Sequence, residues 1–241
     1  MSGRSSNQGG YMTALGDFCA QVEKHNDNLR ASVILIGSVA RGTETPRSDL
    51  DLLLLTDRDI KRPPNWQDFH VHLSTKNDFL KRLREGDDFA AWCVRYGVMI
   101  RDSGDWAQIR EAPEASIWPD WQRKIGHAVR RLLFASALLQ TGDGEASAEE
   151  MLYAVGHTVR AILLRSQVFP LSRAELVQQA RDAGFPHLSA VFKRLLYDPP
   201  SGSFLRQAEA YCKRLLCYLD RAAYRREALA LTKRGRVGRH P

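Results

Sequence analysis

Within this 241-residue chain, the residues whose types and spacing could do chemistry lie in the stretch VILIGSVARGTETPRSDLDLLLLT at 33–56. Gly37 closes a short apolar run with a residue that tolerates unusual backbone angles and the close approach of a ligand, and Ser38 adds a hydroxyl and an N–H. Together they could cradle a phosphate. Asp49 and Asp51 stand at i and i+2 where the next apolar run begins, so their side chains point to one face of a strand. Two carboxylates held there repel unless a cation sits between them. Mg²⁺ takes a few carboxylates plus phosphate oxygens, so the pair suits a complex of metal and nucleoside triphosphate. Two such ions would activate an attacking hydroxyl and stabilise a leaving pyrophosphate.

Positioning these groups calls for a strand on each side of a polar loop. Val33 to Ile36 is a β-branched-rich run ending at Gly37, and Leu50 to Thr56 is a second apolar strand, with the Gly- and Pro-punctuated GTETPRS between them. A helix precedes them, because Leu15, Phe18, Cys19 and Val22 recur at helical spacing. After the loop RPPNWQ, the segment DFHVHLS alternates. Asp68, His70 and His72 take one face; Phe69, Val71 and Leu73 take the other. Lys76 to Arg84 and Asp88 to Tyr96 read as helices, and Val98 to Arg101 as a last strand. Periodicity then breaks across RDSGDWAQIREAPEASIWPDW. From Gln122 onward the pattern is helical, with Gly- or Pro-bearing segments between helices and a capping-box pair at Ser172 and Glu175. The expected architecture is α+β: a short mixed sheet with flanking helices, followed by an all-α bundle.

Charge divides along the same line. Residues 1–117 carry 15 Lys/Arg against 17 Asp/Glu, whereas residues 118–241 carry 20 against 11. The asymmetry suggests an anionic partner for the second half, such as nucleic acid; a solubilising basic tail at TKRGRVGRHP is the alternative. No apolar run is long enough to cross a bilayer, and MSGRSSNQGG has no apolar core of the signal-peptide kind, so no membrane association and a cytoplasmic location are expected. Cys19, Cys93, Cys212 and Cys217 show no zinc or paired spacing and read as reduced thiols.

The run GSVARGTETPRSDLDL resembles the signature of the polymerase-β-like nucleotidyltransferase superfamily: a strand, Gly-Ser, a loop, then Asp-hydrophobic-Asp-hydrophobic. The form Gly-Ser-x-Ala-Arg-Gly with Ser-Asp-x-Asp-Leu is particularly similar to minimal nucleotidyltransferases and bacterial antibiotic nucleotidyltransferases. The resemblance implies a nucleotidyltransferase core over residues 11–110, and the helical second half over 118–228 is similar to the bundle that follows this core in relatives; composition adds a flexible 1–10 and a basic tail over 229–241. The resemblance also implies that Gly37 and Ser38 meet the β- and γ-phosphates, that Arg41 and Ser48 help hold triphosphate and loop, and that Asp49 and Asp51 bind Mg²⁺ or Mn²⁺. The reaction implied is transfer of a nucleotidyl group, AMP from ATP in its simplest form, to a hydroxyl of an RNA, a protein or an antibiotic.

One departure matters. Relatives carry a third carboxylate on the next strand, as base or metal ligand, and here that stretch reads FHVH. His70 takes the position and could accept a proton or ligate a metal. Asp68 takes the role if the strand register shifts. A third reading is a degenerate nucleotide-binding or antitoxin-like module, with a protein partner and without turnover. Other candidates carry less. Arg181 and His187 are spaced like an element of HEPN ribonucleases, but Gly184 and Pro186 break the helix that element needs. His157, Arg160 and Arg165 read either as lining an acceptor cleft or as a solvated helix face. Asp87 and Asp88 read as a helix N-cap and first turn. Trp66, Trp92, Trp106, Trp118 and Trp121 read mostly as packing residues.

Overall fold

A computed structural model describes residues 5–26, 30–44, 48–58, 60, 69–198 and 200–237. Arg47, Trp66 and Asp68 lie outside these residues. The chain forms two compact units, Met1–Pro119 and Asp120–Pro241.

In the first unit, α1 (Ser5–His25) leads into β1 (Ala31–Ile36), a single turn α2 (Gly37–Ala40) and β2 (Asp51–Thr56). Then come β3 (His70–Ser74), α3 (Lys76–Arg84), α4 (Asp88–Tyr96), β4 (Val98–Arg101), α5 (Asp105–Glu111) and a 3-10 turn at Pro113–Ser116. The sheet order is β3-β2-β1-β4. β1 runs antiparallel to both neighbours, while β2 and β3 are parallel. All six residues of β1 are buried, as is the run Leu52–Leu55 of β2, because these two strands occupy the middle of the sheet and are covered on both faces. That is why β2 is a continuous leucine run and not an alternating one.

One face of the sheet buries Val33, Leu35, Leu52, Leu54 and Phe69 against Leu15, Phe18 and Val22 of α1, with the Phe18 and Phe69 rings 4.7 Å apart. At roughly 1.5–3 kcal/mol for each large apolar side chain buried, this cluster is a main source of stability for the sheet. Residues of the other parity, Ser32, Ile34 and Ile36, face the opposite side. There Gly97, at the end of α4, lets the helix terminus approach so closely that a Cβ would lie 2.7 Å from Ile34 Cγ2. Ser32, fully buried, donates to Asp102 Oδ1 at 2.7 Å. Asp102 also accepts from the backbone N–H groups of Gly104, Trp106 and Ala107, which fastens the start of α5 to β1.

The regular elements of the second unit, among its described residues, are all helices: α6 (Trp121–Gln140), α7 (Gly144–Arg165), α8 (Arg173–Asp182), α9 (Pro186–Tyr197), α10 (Gly202–Leu219) and α11 (Arg221–Val237). Its core joins Leu132, Met151, Val155, Val159, Phe192, Leu205 and Leu216. Caps mark the helix starts: Asp120 accepts from Gln122 N–H, Asp143 from Ala146 N–H, and Glu175 reaches back to the Ser172 N–H at 3.2 Å. Arg181 lies in the last turn of α8 and His187 in the first turn of α9, so the break at Ala183–Phe185 separates them as the sequence indicates.

The structure departs from the sequence reading in the extent of α1 and α11 and in two short helices, α2 and α5, that the reading did not contain. α1 begins inside the segment expected to be a polar lead-in, and α11 continues through Val237 into the segment expected to be a tail. No proline interrupts either stretch, and helix once nucleated propagates through polar residues. The apparent break after β4 holds α5, whose seven residues are too few to show a period and whose start is set by the Asp102 acceptor.

Candidate active site

Gly37 is the pivot. Its φ of +76° lies in the left-handed region, and a Cβ at this position would stand 2.2 Å from Asp51 Oδ2. Glycine is therefore required twice over: by the backbone turning out of β1 and by the carboxylate packed against it. The pairing Ile36↔Asp51 brings that carboxylate to the end of β1. Ser38 follows on α2, and its carbonyl accepts from the N–H groups of Arg41 at 3.2 Å and Thr43 at 3.0 Å, closing a tight turn. The Arg41 guanidinium lies over the Tyr96 ring, 5.2 Å from its centroid, so α4 supports the loop.

Parallel pairing of β2 with β3 sets Asp51 opposite His70 and Leu53 opposite His72. Registered partners share a face, so Asp51, His70 and His72 converge there. His70 Nδ1 lies 2.8 Å from Asp51 Oδ1. The ligand atoms of the three side chains all fall within 4.8 Å of one another. His70 is open to solvent, with 64% of its side chain exposed, against 28% for Asp51. The His70 and His72 rings are 4.6 Å apart, and His72 also meets the Phe89 ring at 4.6 Å. Arg82 lies over the far-reaching Phe89 ring at 5.1 Å and is itself tied to Asp87 at 2.9 Å. Asp87 caps α4 by accepting the Ala90 N–H, the role its sequence suggests.

Burial holds the His72 pKa below the ordinary histidine value; His70 and Arg82 push the same way, and Asp51 opposes them. His72 therefore presents a neutral imidazole at pH 7, with a lone pair free to bind a proton or a cation. One carboxylate and two imidazoles at these separations are a donor set that fits a divalent cation.

The sequence-derived residues distribute as follows. Gly37, Asp51 and His70 come together, and Ser38 and Arg41 lie on the adjoining turn. Ser48 is half-buried and Asp49 exposed in the segment before β2; Asp49 is not among the three converging donors. His72 joins the cluster as a full member, although its sequence signal placed it only on the same face. Phe89, Arg82 and Tyr96 were missed as supports, since no spacing in the sequence shows which helix packs beside the strand. In the second unit, Arg165 lies over the Trp121 ring at 5.2 Å, and Arg160 donates to the Leu171 carbonyl at 3.3 Å. His157, Arg160 and Arg173 also line a cavity of about 210 Å³ within that unit.

Residues 19–103 match the family model of the nucleotidyltransferase domain. The first unit carries a nucleotidyltransferase domain. The match begins in α1 and ends just past β4, so it contains Gly37, Asp51, His70 and His72. Among solved structures, the chain is similar to a nucleotidyltransferase-like protein from Exiguobacterium sibiricum 255-15, at 15% identity and a TM-score of 0.46, covering 93% of this chain and 80% of that one. No curated protein matches the chain. The nucleotidyltransferase domain thus has the mixed four-stranded sheet and flanking helices expected of it, and a helical unit follows.

Proposed function

We propose that the chain is a divalent-cation-dependent nucleotidyltransferase that moves a nucleoside monophosphate, AMP from ATP, onto a hydroxyl of an RNA, protein or small-molecule acceptor. The observation that carries this reading is the convergence of Gly37, Asp51 and His70 where the end of β1 lies beside the start of β2, inside the residues that match the nucleotidyltransferase domain. The acceptor oxygen attacks the α-phosphorus, the bond to the departing pyrophosphate breaks, and the hydroxyl proton passes to a base of the Asp51, His70 and His72 cluster. Asp51, with Asp49 from the segment before β2 where the superfamily signature places the second carboxylate, would hold a cation that would offset the charge of the triphosphate and of the leaving pyrophosphate. Gly37 and Ser38 receive the β- and γ-phosphates, and Arg41 and Ser48 steady triphosphate and loop. Similarity to the superfamily signature supports those roles.

The basic second half favours an anionic acceptor, with RNA first. Arg123, His127, Arg130 and Arg226 line a cavity of about 370 Å³ there, shared with Asp120 and Glu227. The four cysteines are free thiols, which accords with a cytoplasmic setting, and no described helix is long and apolar enough to cross a membrane. The second reading is a nucleotide-binding or antitoxin-like module without turnover; histidine in the place of the third carboxylate favours it. Incubation with α-labelled nucleoside triphosphates and separate RNA, protein and antibiotic pools decides between them. Label passing to one pool establishes transfer and names the acceptor class; bound nucleotide with no label transferred and a co-purifying partner establishes the module.

A further inference from the structure

We infer that Asp51, His70 and His72 form a two-imidazole, one-carboxylate metal site that selects a nitrogen-preferring first-row cation, Zn²⁺ or Co²⁺, over Mg²⁺. Three observations lead there. The parallel register of β2 and β3 fixes the three side chains on one face, two of them on a single strand at i and i+2. Their donor atoms lie within 4.8 Å of one another. His70 Nδ1 and Asp51 Oδ1 touch at 2.8 Å, a hydrogen-bond distance, so the two side chains need part only slightly to reach the roughly 3.4 Å that separates tetrahedral ligands each about 2.1 Å from one ion.

Donor chemistry then chooses the ion. Mg²⁺ demands oxygen ligands and gives up its water reluctantly, so a set with two nitrogens out of three suits it poorly. Imidazole with carboxylate suits zinc and its neighbours. The surroundings fit a cation. Arg82, the guanidinium beyond Phe89, is already paired with Asp87, and the Phe89 ring packs on His72 and limits its rotation. Exposure of His70 keeps one side open, and three protein donors leave positions for water or phosphate oxygens; with both imidazoles acting as ligands, the acceptor's proton would pass to a hydroxide held at one of those positions instead of to a histidine. This deepens the nucleotidyl-transfer reading and rests on it for what those open positions are used for; the binding of the ion itself does not depend on turnover.

The test uses the full chain without nucleotide. Co²⁺ is titrated while its visible absorption is followed, and Zn²⁺ and Mg²⁺ are titrated calorimetrically, on wild type and on His70→Ala, His72→Ala and His70→Asp. The expected result is one tight Zn²⁺ or Co²⁺ site per chain, with Mg²⁺ weaker by more than about tenfold. Each alanine variant should lose at least about tenfold in Zn²⁺ affinity, and His70→Asp should narrow the gap between Zn²⁺ and Mg²⁺. His70 is exposed, so its variants test the site without threatening the fold, and far-ultraviolet circular dichroism checks His72→Ala. Equal affinity for Mg²⁺ and Zn²⁺ in wild type, or Zn²⁺ affinity unchanged in the alanine variants, overturns the inference. Histidine-dependent Zn²⁺ binding with no nucleotide turnover under any ion would sink the transferase reading alone; nucleotide turnover together with Zn²⁺ affinity unchanged in the alanine variants would sink the metal assignment alone.

Discussion

Replacing Gly37 by alanine should damage the protein more than the same change at Gly42, although both residues have positive φ. At Gly42, φ is +66° and no atom lies within 4 Å of an added Cβ, so the cost is left-handed strain alone, about 1–2 kcal/mol. At Gly37 the same strain is joined by a collision, because the Cβ would stand 2.2 Å from Asp51 Oδ2 and 3.0 Å from Asp51 Cβ. The carboxylate must turn away, and its contact with His70 is lost with it. That pair is partly exposed, so the loss adds no more than about 1 kcal/mol to stability. The functional loss is far larger, since Asp51 leaves the cluster on which metal and nucleotide chemistry depend. Urea unfolding of Gly37→Ala and Gly42→Ala measures the first effect, and pyrophosphate release measures the second. Equal stability and equal activity in the two variants would refute the claim that Gly37 is glycine on account of Asp51.

Two further predictions concern stability and thiol chemistry. Burial raises the Asp102 pKa, but hydrogen bonds from Ser32 and from the N–H groups of Gly104, Trp106 and Ala107 outweigh it and hold the carboxyl below the usual range. A depressed folded pKa means that this stabilisation is complete above the unfolded carboxylate value of about 3.9 and is lost as pH falls through the lower folded value. Asp102→Ala should therefore destabilise the first unit by about 1–2 kcal/mol at pH 7, with the difference from wild type shrinking in acid; a difference that grows in acid would contradict it. Burial pushes the Cys212 thiol up to about 12 and raises that of Cys93 further, so neither should react with a thiol reagent in the native protein at pH 8. Half-buried Cys217 and Cys19 should be labelled first, and mass spectrometry of the native and denatured protein checks the order.

Local pattern made much of the first unit legible. β1 and β2 announce themselves as apolar runs on either side of a Gly- and Pro-bearing loop, and α3, α4 and β4 start and stop where their caps and periodicity say. Asp87 shows why: a side chain that caps a helix leaves its mark within three residues. What could not be read was register. Nothing local says that β3 runs parallel to β2 with His70 against Asp51, or that Phe89 closes on His72, since those contacts join residues 17 to 19 apart through the path of the chain. The i, i+2 rule put Asp49 and Asp51 on one face, but β2 begins at Asp51, and Asp49 lies before the strand where alternation no longer applies. α2 and α5 escaped because one or two turns are too short to carry a helical period.

Pyrophosphate release from ATP, with Mg²⁺, Mn²⁺, Co²⁺ or Zn²⁺ and each acceptor pool in turn, compared between wild type and Asp51→Asn, tests the central claim most directly. Asn keeps the shape of Asp51 and removes its charge. Nucleotidyl transfer at the Gly37, Asp51 and His70 site predicts release by wild type with at least one ion and its loss in Asp51→Asn while the fold persists. Release undiminished in Asp51→Asn, or none from wild type with any ion or acceptor, would contradict it.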